Sequence, residues 1–224
     1  MNNIPNPIPI QIPIPLKNLN NMIQEQICYD TINKLKDEAL LEEYKKCKSV
    51  NSQITILSDI LEKNNIPLEK QTSIISDYMV NLIPAGTKGN IRGNKFNKII
   101  EDYIRNIGLD SERYDIQFEK ICNTCVTPEI PDWFILEKTT GKVIVGMNQI
   151  DLWSGGHQIN RGSKYLINNK YNTETSKLVC VICSNIQFTS QKNKAYNLFN
   201  TGFSNNTLTY LKNLKNIIDS FFQK

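Results

Sequence analysis

The sequence predicts an α+β fold (α/β in its element order), a mixed central sheet flanked by helices, with a helical region ahead of the sheet. Three observations lead there. Apolar residues recur at helical spacing through most of the first hundred positions. Between 114 and 183 the pattern changes to short alternating or wholly apolar runs bounded by turn residues, the mark of strands. Two more helical stripes close the chain. From residue 93 the order reads α-β-β-β-α-β-α-α, and a sheet covered by helices is the natural packing for such elements. The expected organisation is a proline-rich arm over 1–16, a helical region over 17–85 and a core over 86–224.

Each element has its own reason. Pro5, Pro7, Pro9, Pro13 and Pro15 fix φ and remove N–H donors, so the arm is expected to be extended rather than helical. Leu19, Met22, Ile23, Ile27, Leu41 and Tyr44 predict helix over 19–49. Runs over 52–63 and 68–83 follow, separated by Asn64, Asn65, Ile66 and Pro67, and Pro84 to Thr87 are expected to end the block. Phe96, Ile99, Ile100, Tyr103 and Ile107 share one face of a helix over 93–107. Tyr114, Ile116 and Phe118 alternate with polar residues as in a half-buried strand. Strands over 132–137 and 142–150 flank a turn at Lys138 to Gly141, helix is expected over 156–168, and 177–183 reads as a buried central strand. Helical runs near 191–200 and 207–222 complete the chain, the last striped by Leu208, Leu211, Leu214, Ile218 and Phe221.

Bulk properties narrow the function classes. The chain has 224 residues, enough to bury a full core without staples. A net charge of +4 suits a protein that meets phosphates without requiring one. No run of about 18 apolar residues exists, so no membrane span is expected. The first residues lack the basic start and apolar centre of a secretory signal, so the six cysteines point to a reducing, cytoplasmic setting rather than a disulfide scaffold.

The chemistry concentrates between 129 and 165. If Glu137 faces Lys142 across the hairpin turn, Asp132 faces Met147, and alternation puts Asp132, Met147, Gln149 and Asp151 on one side of the sheet. Asp132, Gln149 and Asp151 would then offer three oxygen donors at one sheet end, a set that suits a hard cation such as Mg²⁺. Downstream, Gly155 and Gly156 lead into a donor-rich helix with His157, Gln158, Asn160, Arg161 and Lys164. His157, Arg161 and Lys164 fall on one face, and a helix N-terminus with glycines accepts phosphate well.

Here the chain resembles the PD-(D/E)xK nuclease superfamily, and within it the type II restriction endonucleases, over roughly residues 86–222. Pro131 and Asp132 match the "PD"; Gln149, 17 residues on, lies where the family's second acid sits, and Asp151 where its lysine sits. The resemblance implies a restriction-endonuclease-like core, Mg²⁺ held at Asp132, Gln149 and Asp151, and hydrolysis of phosphodiester bonds in double-stranded DNA. Gln149 and Asp151 depart from the family pattern. The family also often carries a Glu on the helix before the core; Phe96-Asn97 stands there, so Glu101 or, preferably, Glu119 is expected to substitute. A homodimer would match a palindromic site. His157, Gln158, Asn160, Arg161 and Lys164 are the expected DNA contacts.

Two alternatives stay open. A repair or structure-specific nuclease uses the same fold, and a catalytically inactive DNA-binding module is compatible with the altered motif. Cys122-Asn-Thr-Cys125 and Cys180-Val-Ile-Cys183 also form two C-x₂-C pairs of the kind that hold zinc. The second pair lies in a strand-like run where residues three apart face opposite sides, so buried thiols are the preferred reading. Cys28 and Cys47 read as ordinary core residues.

Overall fold

A computed structural model describes residues 14–27, 41–125, 127, 129–150, 162–166, 171–184 and 186–223. Its architecture is α+β. Helices α1 (Leu16–Ile27), α2 (Leu41–Lys45), α3 (Lys48–Lys63), α4 (Leu68–Leu82) and α5 (Ala85–Asn106) precede strands β1 (Tyr114–Phe118), β2 (Trp133–Glu137) and β3 (Val143–Ile150). Strand β4 (Ser176–Cys183), helix α6 (Lys194–Ser204), the short strand β5 (Leu208–Thr209) and helix α7 (Leu211–Phe222) follow. The sheet order is β1-β2-β3-β4-β5. The first three strands form an antiparallel meander, and β3, β4 and β5 run parallel.

Both sheet faces are covered. Alternation sends Phe134, Val143, Val145, Met147, Leu178, Cys180 and Ile182 to one face, where they meet Leu19 and Ile23 of α1 and Phe199 of α6. It sends Trp133, Ile135, Ile144, Val179, Val181 and Cys183 to the other, under Phe96, Ile100 and Ile104 of α5 and Leu214 and Ile218 of α7. A strand buried on both faces reads as a continuous apolar run, which is why 177–183 was legible. On α7 the buried residues Leu211, Leu214, Ile218 and Phe222 recur at helical spacing. Each fully buried side chain contributes roughly 1.5–3 kcal/mol, far more than the propensity cost of the two asparagines in that helix, about 0.5–0.7 kcal/mol apiece.

Several boundaries differ from expectation, each for a physical reason. Helix α5 begins at Ala85, not near 93: Pro84 stands at the N-cap without a side-chain cap bond, its carbonyl accepts the Lys88 N–H at 3.0 Å, and the burial of Phe96, Ile100 and Ile104 further along outweighs the glycines of the first turns. Residues 208–209 are strand rather than helix: Leu208 and Thr209 pair with Cys180 and Val181 of β4, and the helix starts at Leu211. The expected helix over 19–49 is described as α1 and α2, with Lys46 and Cys47 forming a turn before α3. Of the helix expected over 156–168, residues 162–166 are described, and they are helical.

The helical region does not stand apart as a unit. Helix α1 belongs to the sheet's core, where the Asn20 side chain makes a two-point clamp on the Phe188 backbone, donating at 2.8 Å and accepting at 2.9 Å. Just ahead of it, the Ile14 backbone is tied to α6 by Asn200 and Tyr196. A small cluster of its own, Tyr44, Val50 and Ile83, joins α2, α3 and the end of α4. Residues 1–13 of the arm lie outside the described residues.

Candidate functional site

The hairpin register is the one the sequence implies. Trp133 pairs with Gly146 and Leu136 with Val143, which continues to Glu137 opposite Lys142, whose carbonyl accepts the Glu137 N–H at 2.8 Å. The direction of Asp132 is not. Its N–H donates at 3.0 Å to the carbonyl of Gly146, the residue Trp133 already faces. Two successive residues thus stand against one, the count of a β-bulge, and a bulge re-aims a side chain. Pro131 has no N–H to extend the ladder further. The carboxylate therefore turns away from Met147, which is buried on the α1 side, and faces α5.

Four side chains form a connected set there. The Asn97 amide donates to Asp132 Oδ1 at 3.2 Å. The Asn148 backbone N–H donates to Asp132 Oδ2 at 2.6 Å, and the Asn148 side-chain amide donates to Asn97 Oδ1 at 3.0 Å. The indole N–H of Trp133, itself fully buried, donates to Asn148 Oδ1 at 3.1 Å. Gly146 is required beneath that indole: a Cβ at this position would lie 1.8 Å from the ring.

Asp132 opens onto a cavity of about 320 Å³ between α5 and the β1–β2 edge. Helix α5 supplies Asn94, Asn97, Lys98 and Glu101; the sheet side supplies Phe118, Glu119 and Asp132. Glu119 adopts a left-handed φ of 51°, and its N–H donates to the Asp132 carbonyl at 2.9 Å, which holds the two acids on one rim. Glu101 is engaged by Arg105 at 2.8 Å and Lys98 at 3.3 Å; the Arg105 hydrogen bond, then Lys98, holds its carboxyl below the ordinary glutamate value. Arg105 in turn lies over the Phe118 ring at 4.6 Å. A larger cleft of about 420 Å³ lies at the other end of the sheet, by Lys142, Glu174, Lys177 and Phe221. It shares no residue with the Asp132 cavity, and size alone does not make it the reactive one.

The other expected residues divide as follows. Gln149 alternates with Asn148 and so lies on the Met147 face, where its amide donates to the Ile150 carbonyl at 3.1 Å. The structure does not bring it to Asp132, which corrects the expected convergence; the bulge is the cause. Asp151, His157, Gln158, Asn160 and Arg161 lie outside the described residues. Lys164 is exposed on the helical turn over 162–166, whose Tyr165 and Leu166 pack into the α1-side core. Asn97, Asn148 and Asn94 were not expected as site residues. Asn148 would have been found by allowing the bulge, since Pro131 before Asp132 and Gly146 opposite Trp133 are its signals.

The cavity's oxygen donors are the carboxylates of Asp132, Glu119 and Glu101, the chemistry a hard divalent cation such as Mg²⁺ selects over a soft one, while the Asn97 oxygen is taken up by Asn148. Among the described residues, no three His, Cys, Asp or Glu side chains are grouped closely enough to hold a metal ion. The four candidate zinc thiols do not converge: Cys180 is buried in the α1-side core and Cys183 in the α5-side core. Cys122 and Cys125 do meet, with sulfurs 2.9 Å apart. Burial, aided by the hydrogen bond with Cys122, pushes the Cys125 thiol up to about 12. No family model, curated protein or solved structure matches this chain. Among the described residues, no helix is long and apolar enough to cross a membrane.

Proposed function

We propose that this chain is a Mg²⁺-dependent endonuclease that hydrolyses phosphodiester bonds in double-stranded DNA, in the manner of the type II restriction endonucleases it resembles. One observation carries the reading. The Asp of a Pro-Asp pair, at the head of the second strand of an α-β-β-β unit, is turned by a bulge into a cavity that it shares with Glu119 and Glu101. Asp132 and Glu119 are the residues that would hold the cation, with Asn97 orienting the first. A bound Mg²⁺ would lower the pKa of a water and offset charge on the phosphoryl oxygens. Lys98, on the same rim, is paired with Glu101 at 3.3 Å and Asp102 at 3.2 Å, so the charge left at the cavity by Asp132 and Glu119 is negative and suits a cation. A two-fold homodimer would place one such site on each strand of a palindromic sequence.

The test is digestion of a sequenced plasmid with Mg²⁺ and mapping of the ends. Fixed bands support a sequence-specific endonuclease; a smear favours a repair or structure-specific nuclease of the same fold. Binding without cleavage in Mg²⁺ or Mn²⁺ favours an inactive DNA-binding module. The displacement of Gln149 to the opposite face is the observation on that module's side.

A further inference from the structure

We propose that Asn97 and Asn148 are positioning residues for Asp132, forming a one-way hydrogen-bond chain that starts in the core and sets the site's divalent-cation requirement. The inference rests on the reading that Asp132 carries the chemistry. The direction of the chain follows from donor and acceptor identity. An indole N–H can only donate. Trp133 therefore fixes the oxygen of the Asn148 amide toward itself at 3.1 Å and leaves the amide's NH₂ pointing on. That NH₂ meets Asn97 at 3.0 Å, so Asn97 must present its oxygen there and its own NH₂ to Asp132 at 3.2 Å. Flipping Asn148 would set donor against donor at Trp133, and flipping Asn97 alone would set donor against donor at Asn148 and acceptor against acceptor at Asp132. The terminal partner must be an acceptor, and it is the Asp132 carboxylate.

Two amide donors approach that carboxylate from different sides, one from the α5 side chain and one from the β3 backbone, so its plane is fixed relative to the cavity. The same fixation appears wherever groups behind a metal ligand hold its orientation, and losing such a partner typically costs about 10–100-fold in metal affinity or activity. The anchor is rigid: Trp133 has no exposed surface and its ring lies on Gly146. Asn148 reaches Asp132 twice, once through its backbone and once through Asn97. Removing the Asn148 side chain therefore leaves both of these amide contacts in place and takes away only the support behind Asn97, whereas removing the Asn97 side chain breaks one of them outright.

The test uses the full chain with Asn97→Ala, Asn148→Ala and Asn97→Asp. Asn97→Ala is expected to lower the single-turnover cleavage rate about 10–100-fold and to raise the Mg²⁺ concentration needed for half-maximal rate, with DNA affinity in Ca²⁺ unchanged. Asn148→Ala should show the same split to a smaller extent. A merely structural role would lower the melting temperature without moving the Mg²⁺ dependence, and that result overturns the proposal. Asn97→Asp gives a readout independent of cleavage. It places a second carboxylate against Asp132, so at pH 8 in EDTA it should melt below wild type, and Mn²⁺ should restore it. Identical melting of Asn97→Asp and wild type, with and without Mn²⁺, overturns the contact itself. Should the wild type cut no DNA with either cation, the nuclease reading falls while these melts still decide whether Asn97 holds Asp132.

Discussion

The two ends of strand β2 each carry an acid on the same face of the sheet, and they are built to opposite designs. At the turn end Glu137 is buried, and it is met by the Arg113 guanidinium, with Nε donating at 2.6 Å, and by the Thr140 hydroxyl. At the open end Asp132 is held by the Asn97 amide and the Asn148 backbone N–H, and it looks into a cavity beside Glu119. An arginine both orients a carboxylate and neutralises it; an amide orients it and leaves the charge to act on something else. The difference separates an acid neutralised within the fold from one whose charge is left facing a cavity, at the two ends of a strand five residues long.

The sharpest way to break that contrast is to remove each acid in turn. Asp132→Ala should take DNA cleavage below detection while the protein still binds DNA and melts within a few degrees of wild type. Glu137→Ala should do the reverse. It should cost about 1–3 kcal/mol in urea unfolding, less than a fully buried pair because Arg113 is half exposed, and leave the cleavage rate per folded molecule unchanged. Equal loss of activity in both variants, after correction for folded fraction, would remove the distinction.

Gly146→Ala joins the two questions, because it strikes the bulge that turns Asp132. The added methyl would collide with the Trp133 indole, which is backed by the α5-side core and has nowhere to go. A destabilisation of at least about 1–3 kcal/mol is expected, together with a fall in cleavage larger than the lost stability explains, since the indole anchors the chain to Asp132. Stability and rate per folded molecule, measured on the same preparation, separate the two effects.

The turn end makes a pH prediction with a definite sign. The Thr140 hydrogen bond, then Arg113, holds the Glu137 carboxyl below the ordinary glutamate value, against burial. As pH falls, the unfolded chain takes up that proton first. The stability Glu137 contributes is therefore fully present above its unfolded value of about 4.3 and is lost as pH falls through the lower folded value. Melting temperature should drop below about pH 4.3 in wild type, and Glu137→Gln should flatten that part of the curve. An unchanged slope in Glu137→Gln would mean that other carboxylates govern acid unfolding.

The sequence was most legible where burial alone decides structure. The two-sided strand 176–183, the hairpin register and the α7 stripe all follow from apolar periodicity, which is a direct image of the core. It was least legible where one residue breaks the period. Simple alternation puts Asp132 opposite Met147, yet its N–H bonds the Gly146 carbonyl and its carboxylate belongs with Asn148, and no alternation rule anticipates a single bulge. That one step exchanged Gln149 for Asn148 as the strand β3 partner of the site. The start of α5 is a second case. Pro84 to Thr87 read as the end of the helical block, but a helix backed by Phe96, Ile100 and Ile104 has burial enough to carry Gly86, Gly89 and Gly93 in its first turns.

The smallest expected effect concerns Cys122 and Cys125, which follow Glu119 closely on the β1–β2 connection and so decide whether the open end holds any soft-metal chemistry. Zinc binds thiolates, and its affinity depends on how readily the thiols lose their protons. The Cys125 thiol is pushed up to about 12 by burial and by its Cys122 neighbour, so at pH 8 it stays protonated. The other two candidate ligands, Cys180 and Cys183, lie on opposite sheet faces and cannot both turn toward this pair without rebuilding the central strand. Protein purified without added metal or chelator should therefore contain no stoichiometric zinc, and Cys125 should react with iodoacetamide at pH 8 far more slowly than an exposed thiol. Cys125→Ser should cost about 1 kcal/mol, the low end for a hydroxyl placed where a half-buried thiol stood, and leave cleavage intact. One zinc per chain, lost together with the fold on treatment with a strong chelator, would show that the two C-x₂-C pairs meet after all and that β4 does not run unbroken through Cys183.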